Sequence, residues 1–141
     1  MATSIKQIIA FDFGLKQIGV ASGSILSGMT TELCVLKAKD GKPDWREVTK
    51  LLEEWQPDIG LIGLPLNMDD SESDLSARAR KFANQLHGRT GLAVEFVDER
   101  LTSYEAKNIA REMGHKGDYK EAPIDALAAK LLAEQWIRQN S

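Results

Sequence analysis

Cysteine is almost missing from this chain of 141 residues: Cys34 stands alone, so an internal disulfide or a zinc site built on several thiolates is excluded. Histidine is nearly as scarce, and His87 and His115 lie too far apart in sequence to suggest an imidazole-rich metal site. Aromatic residues make up only 6% against 43% hydrophobic residues overall. No apolar run approaches the length of a membrane span. The opening stretch MATSIKQIIAFDFG lacks a charged leader followed by a cleavage signal. A cytoplasmic location with no membrane partner is therefore the expectation. No repeat, low-complexity tract or Pro/Gly/Ser-rich linker divides the sequence, and residues 1–141 are expected to form a single domain. A chain of this size buries about two-thirds of its unfolded surface and needs no covalent staples. An excess of positive charge is lacking too. With 18 Lys+Arg against 21 Asp+Glu, the net charge of −3 argues against nucleic-acid binding by bulk electrostatics, while leaving a local site open.

What is present is a regular alternation of elements. Three strand-like runs, Ile5 to Phe13, Ile18 to Ile25 and Thr30 to Lys37, are separated by Gly14 and by the Gly23 to Gly28 region. DGKP reads as a turn leading into a helix, whose Trp45, Val48, Leu52 and Trp55 share one face and which Pro57 ends. The run DIGLIGLPL has the continuous apolarity of a parallel strand covered on both sides. After the acidic stretch Asp69 to Asp74, a second helix is expected from about Leu75 to His87, with Leu75, Ala79, Phe82, Ala83 and Leu86 as its apolar stripe. AVEFV is a further strand, followed by a helix through Ala106, Ile109, Ala110 and Met113. GHKGDYK reads as a loop, and Pro123 opens a last helix to about Arg138. Three strands followed by alternating helix and strand imply an α/β domain, a mixed five-stranded sheet with helices on both faces. Ligands of such sheets bind beyond the carboxyl ends of the central strands.

Three acids stand out against this frame. Asp12 interrupts the apolar Ile8 to Phe13 run near the end of a central strand, where an ionised carboxylate is costly unless paired or metal-bound. A capping role at the Gly14 turn or a pair with Lys16 is the competing explanation. Asp98, Glu99 and Arg100 follow the AVEFV strand directly; Thr102, with Glu105 three residues on, is a better cap for the next helix than Asp98. Asp125 shares a helix face with Ala128, Ala129, Leu132 and Trp136, although an acid in a first helical turn is also favoured by the macrodipole. If three carboxylates meet within about 5 Å, each pair repels by roughly 3 kcal/mol at an effective dielectric near 20. Such a cluster holds either protons or cations. Oxygen donors without thiol or imidazole select a hard ion, Mg²⁺ or Mn²⁺, and paired ions of this kind suit hydrolysis of a phosphodiester.

FDFGLKQIGVA at 11–21, GLPLNMD at 63–69, SARARKFANQL at 76–86, VDERLTSYEA at 97–106 and IDALAA at 124–129 together resemble the YqgF family over essentially the whole chain. That family is similar to the RuvC-type Holliday junction resolvases. The resemblance implies a ribonuclease-H-like fold and a nuclease. It implies action on precursor 16S rRNA at its 5′ end during ribosome biogenesis or, alternatively, on four-way DNA junctions. It places the catalytic and metal-holding acids on Asp12, Glu99 and Asp125, with one or two Mg²⁺ or Mn²⁺ ions as cofactor and Asp98 as the alternative to Glu99. One departure is visible: Asp70 stands where the loop after GLPLNM usually turns through a glycine.

Nucleic acid would find its bases locally. Residues 74–91 carry Arg78, Arg80, Lys81 and Arg89 against Asp74, a local balance of +3. Arg78, Lys81, Gln85 and Arg89 fall on one side of the predicted helix, as either a solvated face or a phosphate-positioning one. Asn67 and Arg100 at strand ends, with Lys116 and Lys120 in the GHKGDYK loop, complete the candidate set, and Tyr119 could stack on a base. The expected partners are nucleic acid, precursor rRNA or structured DNA, and ribosomal particles; monomer and weak dimer both stay open. Competing classes are an actin-like nucleotide-binding domain, for which the chain supplies one lobe only, and a non-catalytic RNA-binding module whose acids would be scattered or paired with Lys and Arg. A protein kinase is excluded despite the DFG string, because no HRD loop or glycine-rich phosphate loop is present.

Overall fold

Consecutive apolar residues from Ile8 to Phe11 leave no polar side for water, so this segment folds as a strand covered on both faces. In the computed structural model, which describes residues 5–64, 74–98 and 123–140, it is β1 (Gln7–Asp12), and Ile8, Ile9, Ala10 and Phe11 are all buried. β2 (Gln17–Ser24) and β3 (Thr30–Lys39) follow as an antiparallel meander. β4 (Lys42–Pro43) is a two-residue edge strand hairpinned to β3. After α1 (Trp45–Trp55), β5 (Ile59–Leu64) pairs parallel with β1. After α2 (Asp74–Thr90), β6 (Ala93–Asp98) pairs parallel with β5. The last described element is α3 (Pro123–Asn140). The strand order is β4-β3-β2-β1-β5-β6, a mixed sheet with β1 at its centre.

The sixth strand is the one departure from the expected five. Asp40 (φ 54°) and Gly41 (φ 81°) both adopt the left-handed conformation that a tight two-residue hairpin needs, and Asp-Gly is a favoured pair for it. The turn therefore returns the chain along β3 for two residues. Pro43 stands at the sheet edge, where its missing N–H costs nothing.

Side-chain alternation divides the core in two. Ile9, Phe11 and Phe13 of the first strand and its extension join Ile18, Val20 and Ile62 beneath α1 and α2, which contribute Val48, Ala79, Phe82, Ala83 and Leu86. Ile8 and Ala10 point the other way, with Ala21, Ile59, Leu61 and Val97, and meet Ala129, Leu132, Ala133, Trp136 and Ile137 of α3. Helices thus cover both faces. Phe82 anchors the first core: its ring lies 5.5 Å from those of Phe11 and Phe13 and 5.6 Å from that of Trp45. α1 is capped by Asp44, whose carboxylate accepts the Arg46 N–H at 3.0 Å. It ends at Gln56 in the left-handed region (φ 46°), one residue before the proline that had been expected to stop it.

α3 packs on β1, β2 and β3. Its Ile137 lies near Ile8 and Gly23, at the start of β1, and the Trp136 indole N–H donates to Glu95 on β6. Among the described residues, no helix is long and apolar enough to cross a membrane. The expected helix through Ala106 to Met113, the GHKGDYK loop and most of the acidic stretch after β5 lie outside the described residues.

Candidate active site

Asp12 is the last residue of β1 and is half-buried. It shares the parity of Ile8 and Ala10, so the strand's alternation assigns it to the α3 face. Its partner across the antiparallel ladder is Gly19 of β2. On the other side, Phe11 pairs with Ile62 of β5, and the next residue along that strand is Gly63. The residues beside Asp12 on both neighbouring strands are thus glycines, and a carboxylate at this strand end suits a hard cation by its donor chemistry. The sequence motifs contain both glycines, but only strand register brings them beside Asp12.

The carboxyl ends of three adjacent parallel strands meet on this edge: β1 at Asp12, β5 at Leu64 and β6 at Asp98, with Leu64 and Asp98 paired in register. The backbone at Asp125 lies in the first turn of α3. Glu99 lies outside the described residues, immediately beyond β6. Among the described residues no group of three potential metal ligands is assembled. The softer donors are placed elsewhere. Cys34 packs against the core on the α1/α2 face, and burial, reinforced by Glu47 and Glu54, pushes its thiol pKa up, away from the thiolate that binds metals. His87, in the last turn of α2, has its Nδ1 2.9 Å from the Leu92 carbonyl.

Of the candidate phosphate contacts, Arg78 and Lys81 come together, and Arg89 does not join them. Arg78 and Lys81 line a cleft of about 240 Å³ with Gln85, Phe82, Phe13 and the hairpin residues Asp40, Gly41 and Lys42. Arg78 Nη1 is 2.7 Å from Asp40 Oδ1. Arg89, eight residues or about 12 Å further along α2, places its guanidinium 4.8 Å from the centre of the Trp45 ring. Arg80 lies over Phe96 in the same way. Asn67, Arg100, Lys116 and Lys120 lie outside the described residues, as does Asp70. Lys42 was missed in the sequence because it lies in a different element; the Asp-Gly hairpin signal just before it was the available clue.

A family described as RuvX, Holliday junction resolvase, matches residues 6–139. The chain belongs to the RuvX family. Its curated relatives include a protein named "Putative pre-16S rRNA nuclease" from Chromohalobacter salexigens, 52% identical over 95% of this chain and 90% of the relative. One of the same name from Pseudomonas putida is 50% identical over 97% and 98%. Among solved structures, RuvC of T. thermophilus in complex with a Holliday junction substrate superposes with a TM-score of 0.56 at 17% identity, covering 96% of each chain. The fowlpox virus resolvase with its junction DNA gives 0.56 at 15% identity, over 94% of this chain and 97% of that one. These two likenesses establish the ribonuclease-H-like fold. Family membership makes this RuvX protein a phosphodiester-hydrolysing nuclease, with nucleic acid as its partner.

Proposed function

We propose that this protein cleaves the 5′ side of precursor 16S rRNA in the cytoplasm, on the bare transcript or within an assembling ribosomal particle, using one or two divalent ions held by Asp12, Glu99 and Asp125. The observation that carries the proposal is the position of Asp12: a half-buried carboxylate at the carboxyl end of the central strand, flanked by Gly19 and Gly63. The names carried by the relatives of about 50% identity favour the rRNA substrate. Glu99 is preferred over Asp98 on the resemblance of VDERLTSYEA at 97–106 to the family's motif.

An all-oxygen donor set fits Mg²⁺ or Mn²⁺ and disfavours zinc. When bound, the ions supply water activation and neutralise charge at the leaving oxygen. The protein's own part is geometric and electrostatic. Asp12 is carried by the end of a central strand rather than by a loop, and its pairing with Gly19 fixes its backbone. Asp125 belongs to the first turn of α3. Arg78, Lys81, Arg89, Asn67, Arg100, Lys116 and Lys120 are the residues proposed to position phosphates, and Arg78 and Lys81 share a cleft with Phe13, the residue after Asp12.

The test is cleavage of precursor 16S rRNA and of a four-way DNA junction side by side, with Mg²⁺, by wild type, Asp12→Asn and Glu99→Gln. Each variant should lose about 10²-fold or more in rate, roughly 3 kcal/mol of barrier, at an unchanged thermal midpoint. Wild-type rates from Asp12→Asn would overturn the site assignment. Cutting of the junction but not of the rRNA would transfer the same chemistry to the second reading, a junction resolvase, which the family description and the RuvC likeness favour.

A further inference from the structure

We infer that the cleft between α2 and the β3–β4 hairpin is a subsite for a backbone phosphate of the bound nucleic-acid strand, held by Lys42 and Lys81, with Asp40 acting as an internal competitor for the phosphate. The inference rests on the nuclease reading and adds to it a second contact point, contributed by an element outside the acidic edge.

The cleft gathers three cations from two elements distant in sequence, Arg78 and Lys81 from α2 and Lys42 from the hairpin, against one anion, Asp40. The anion is matched to Arg78, at 2.7 Å. Among the described residues, Lys42 and Lys81 have no ion-pair partner. Two unmatched ammonium groups facing one concavity form a region of single sign that concentrates anions. Gln85 adds a neutral amide donor, and Phe13 and Phe82 form an apolar wall that limits solvent screening.

The hairpin is built to hold Lys42 in place. Gly41 N–H donates to the Leu15 carbonyl at 2.9 Å, and Ala38 N–H donates to the Lys16 carbonyl at 2.8 Å, tying β3 and the hairpin tip to the turn after β1. A Cβ on Gly41 would lie 2.8 Å from Phe13 Cζ, so the tip backbone rests directly on that ring. Cations already positioned lose little freedom when a ligand arrives.

Location supplies the reason for a phosphate. Phe13, which walls the cleft, directly follows Asp12, and consecutive Cα atoms are about 3.8 Å apart. Alternation puts Asp12 on the α3 face and Phe13 on the α2 face. A strand lying across the end of the sheet would then set one phosphate at the carboxylates and a neighbouring one between Lys42 and Lys81. Asp40 opposes that second phosphate while holding Arg78, which limits affinity and aids release.

The experiment measures binding of a fluorescein-labelled single-stranded RNA by anisotropy across a salt series, with Ca²⁺ present and Mg²⁺ withheld. Lys42→Gln/Lys81→Gln should weaken binding about tenfold and reduce the salt slope by roughly 0.7–1. Asp40→Asn should tighten binding about threefold, because asparagine keeps the left-handed hairpin position while the local charge rises by one. The opposite sign separates a phosphate subsite from a structural clamp, whose loss would weaken binding or leave it unchanged. Lys6→Gln/Lys50→Gln is the charge-matched control and should match wild type. Equal affinity and slope for the Lys42/Lys81 variant and this control would overturn the subsite, as would unchanged or weaker binding by Asp40→Asn. Failure of the nuclease reading looks different: the lysine and aspartate effects on binding persist, and no variant or wild type cuts either substrate.

Discussion

Replacing Phe82 by alanine tests how the α2 side of the sheet is held together. Phe82 is 1% exposed and its ring meets those of Phe11, Phe13 and Trp45 at 5.5, 5.5 and 5.6 Å. Among the described residues it is the one side chain that joins β1, α1 and α2 through ring contacts. Truncating a fully buried phenylalanine costs about 3–5 kcal/mol, from the lost transfer free energy and from the cavity its neighbours cannot fill. Collapse is restricted here, since Ala79 and Ala83 flank the site on α2 and are too short to reach in. The upper half of the range is therefore expected, about 4 kcal/mol. For a domain of this size that corresponds to a fall of roughly 12–20 °C in thermal midpoint and consumes much of a typical 5–15 kcal/mol of stability. Phe82→Leu keeps most of the volume and should cost about 1.5 kcal/mol. Urea unfolding followed by circular dichroism measures both. A Phe82→Ala cost below about 1.5 kcal/mol, or equal costs for the two variants, would refute the assignment of Phe82 as the aromatic anchor.

Two further predictions concern the backbone. Asp58 accepts the Lys6 and Gln7 N–H groups at 2.8 and 3.0 Å, bonds that hold its carboxyl pKa below the ordinary value, the Gln7 bond contributing most. A depressed folded-state pKa gives stability that is present above the ordinary carboxylate range and is lost as pH falls through the lower folded value. Asp58→Asn should thus cost about 0.5–1 kcal/mol at pH 7, where the charge assists both bonds at an exposed site, and the gap should narrow as pH falls below the ordinary carboxylate range. A gap independent of pH in urea titrations would count against it. Gly41→Ala combines left-handed strain with a 2.8 Å approach to Phe13, whereas Gly28→Ala has the strain (φ 72°) with nothing within 4 Å. Thermal unfolding should place Gly28→Ala at about 1–2 kcal/mol and Gly41→Ala clearly beyond it; equal costs would mean that the hairpin tip does not rest on the ring.

The elements that could be read from the sequence are those whose signal is periodic and local. α1 and α2 announce themselves by apolar stripes, and the buried strands by unbroken apolar runs. Asp12 could be singled out because a charge inside such a run has no place in a core. β4 could not be read by periodicity, since two residues carry no alternation; its signal was the Asp-Gly pair, which marks a hairpin by backbone conformation rather than by hydropathy. Pro57 was a reasonable stop for α1, but the left-handed Gln56, whose N–H reaches the Leu52 carbonyl at 2.8 Å, ends it first. The Gly19 and Gly63 flanks and the meeting of Lys42 with Lys81 depend on pairing register and on helix placement, relations between distant segments that no local pattern encodes. Arg89 shows the same limit from the other direction. Helical spacing puts it on the side of Arg78 and Lys81, yet the neighbouring α1 offers Trp45, and the guanidinium lies over that ring.

The net charge of −3 illustrates why an average over the molecule says little about such a site. The segment from Asp44 to Asp58 holds five acids against two bases, by itself a balance of −3. Glu53 and Glu54 lie eight and nine residues beyond Trp45, about 12 Å or more along α1 from the hairpin. At physiological ionic strength the screening length is about 8 Å, so exposed carboxylates at that distance scarcely reach the cleft. The charged residues that line the cleft are Arg78, Lys81 and Lys42, opposed by Asp40, which Arg78 pairs with. On the proposed reading the acidic edge completes the same logic. Its carboxylates repel a phosphate until divalent ions reverse their sign, while the cleft attracts one at any time. Affinity for a strand should then separate into a part that depends on the divalent ion and a part that depends on Lys42 and Lys81, and the global charge enters neither.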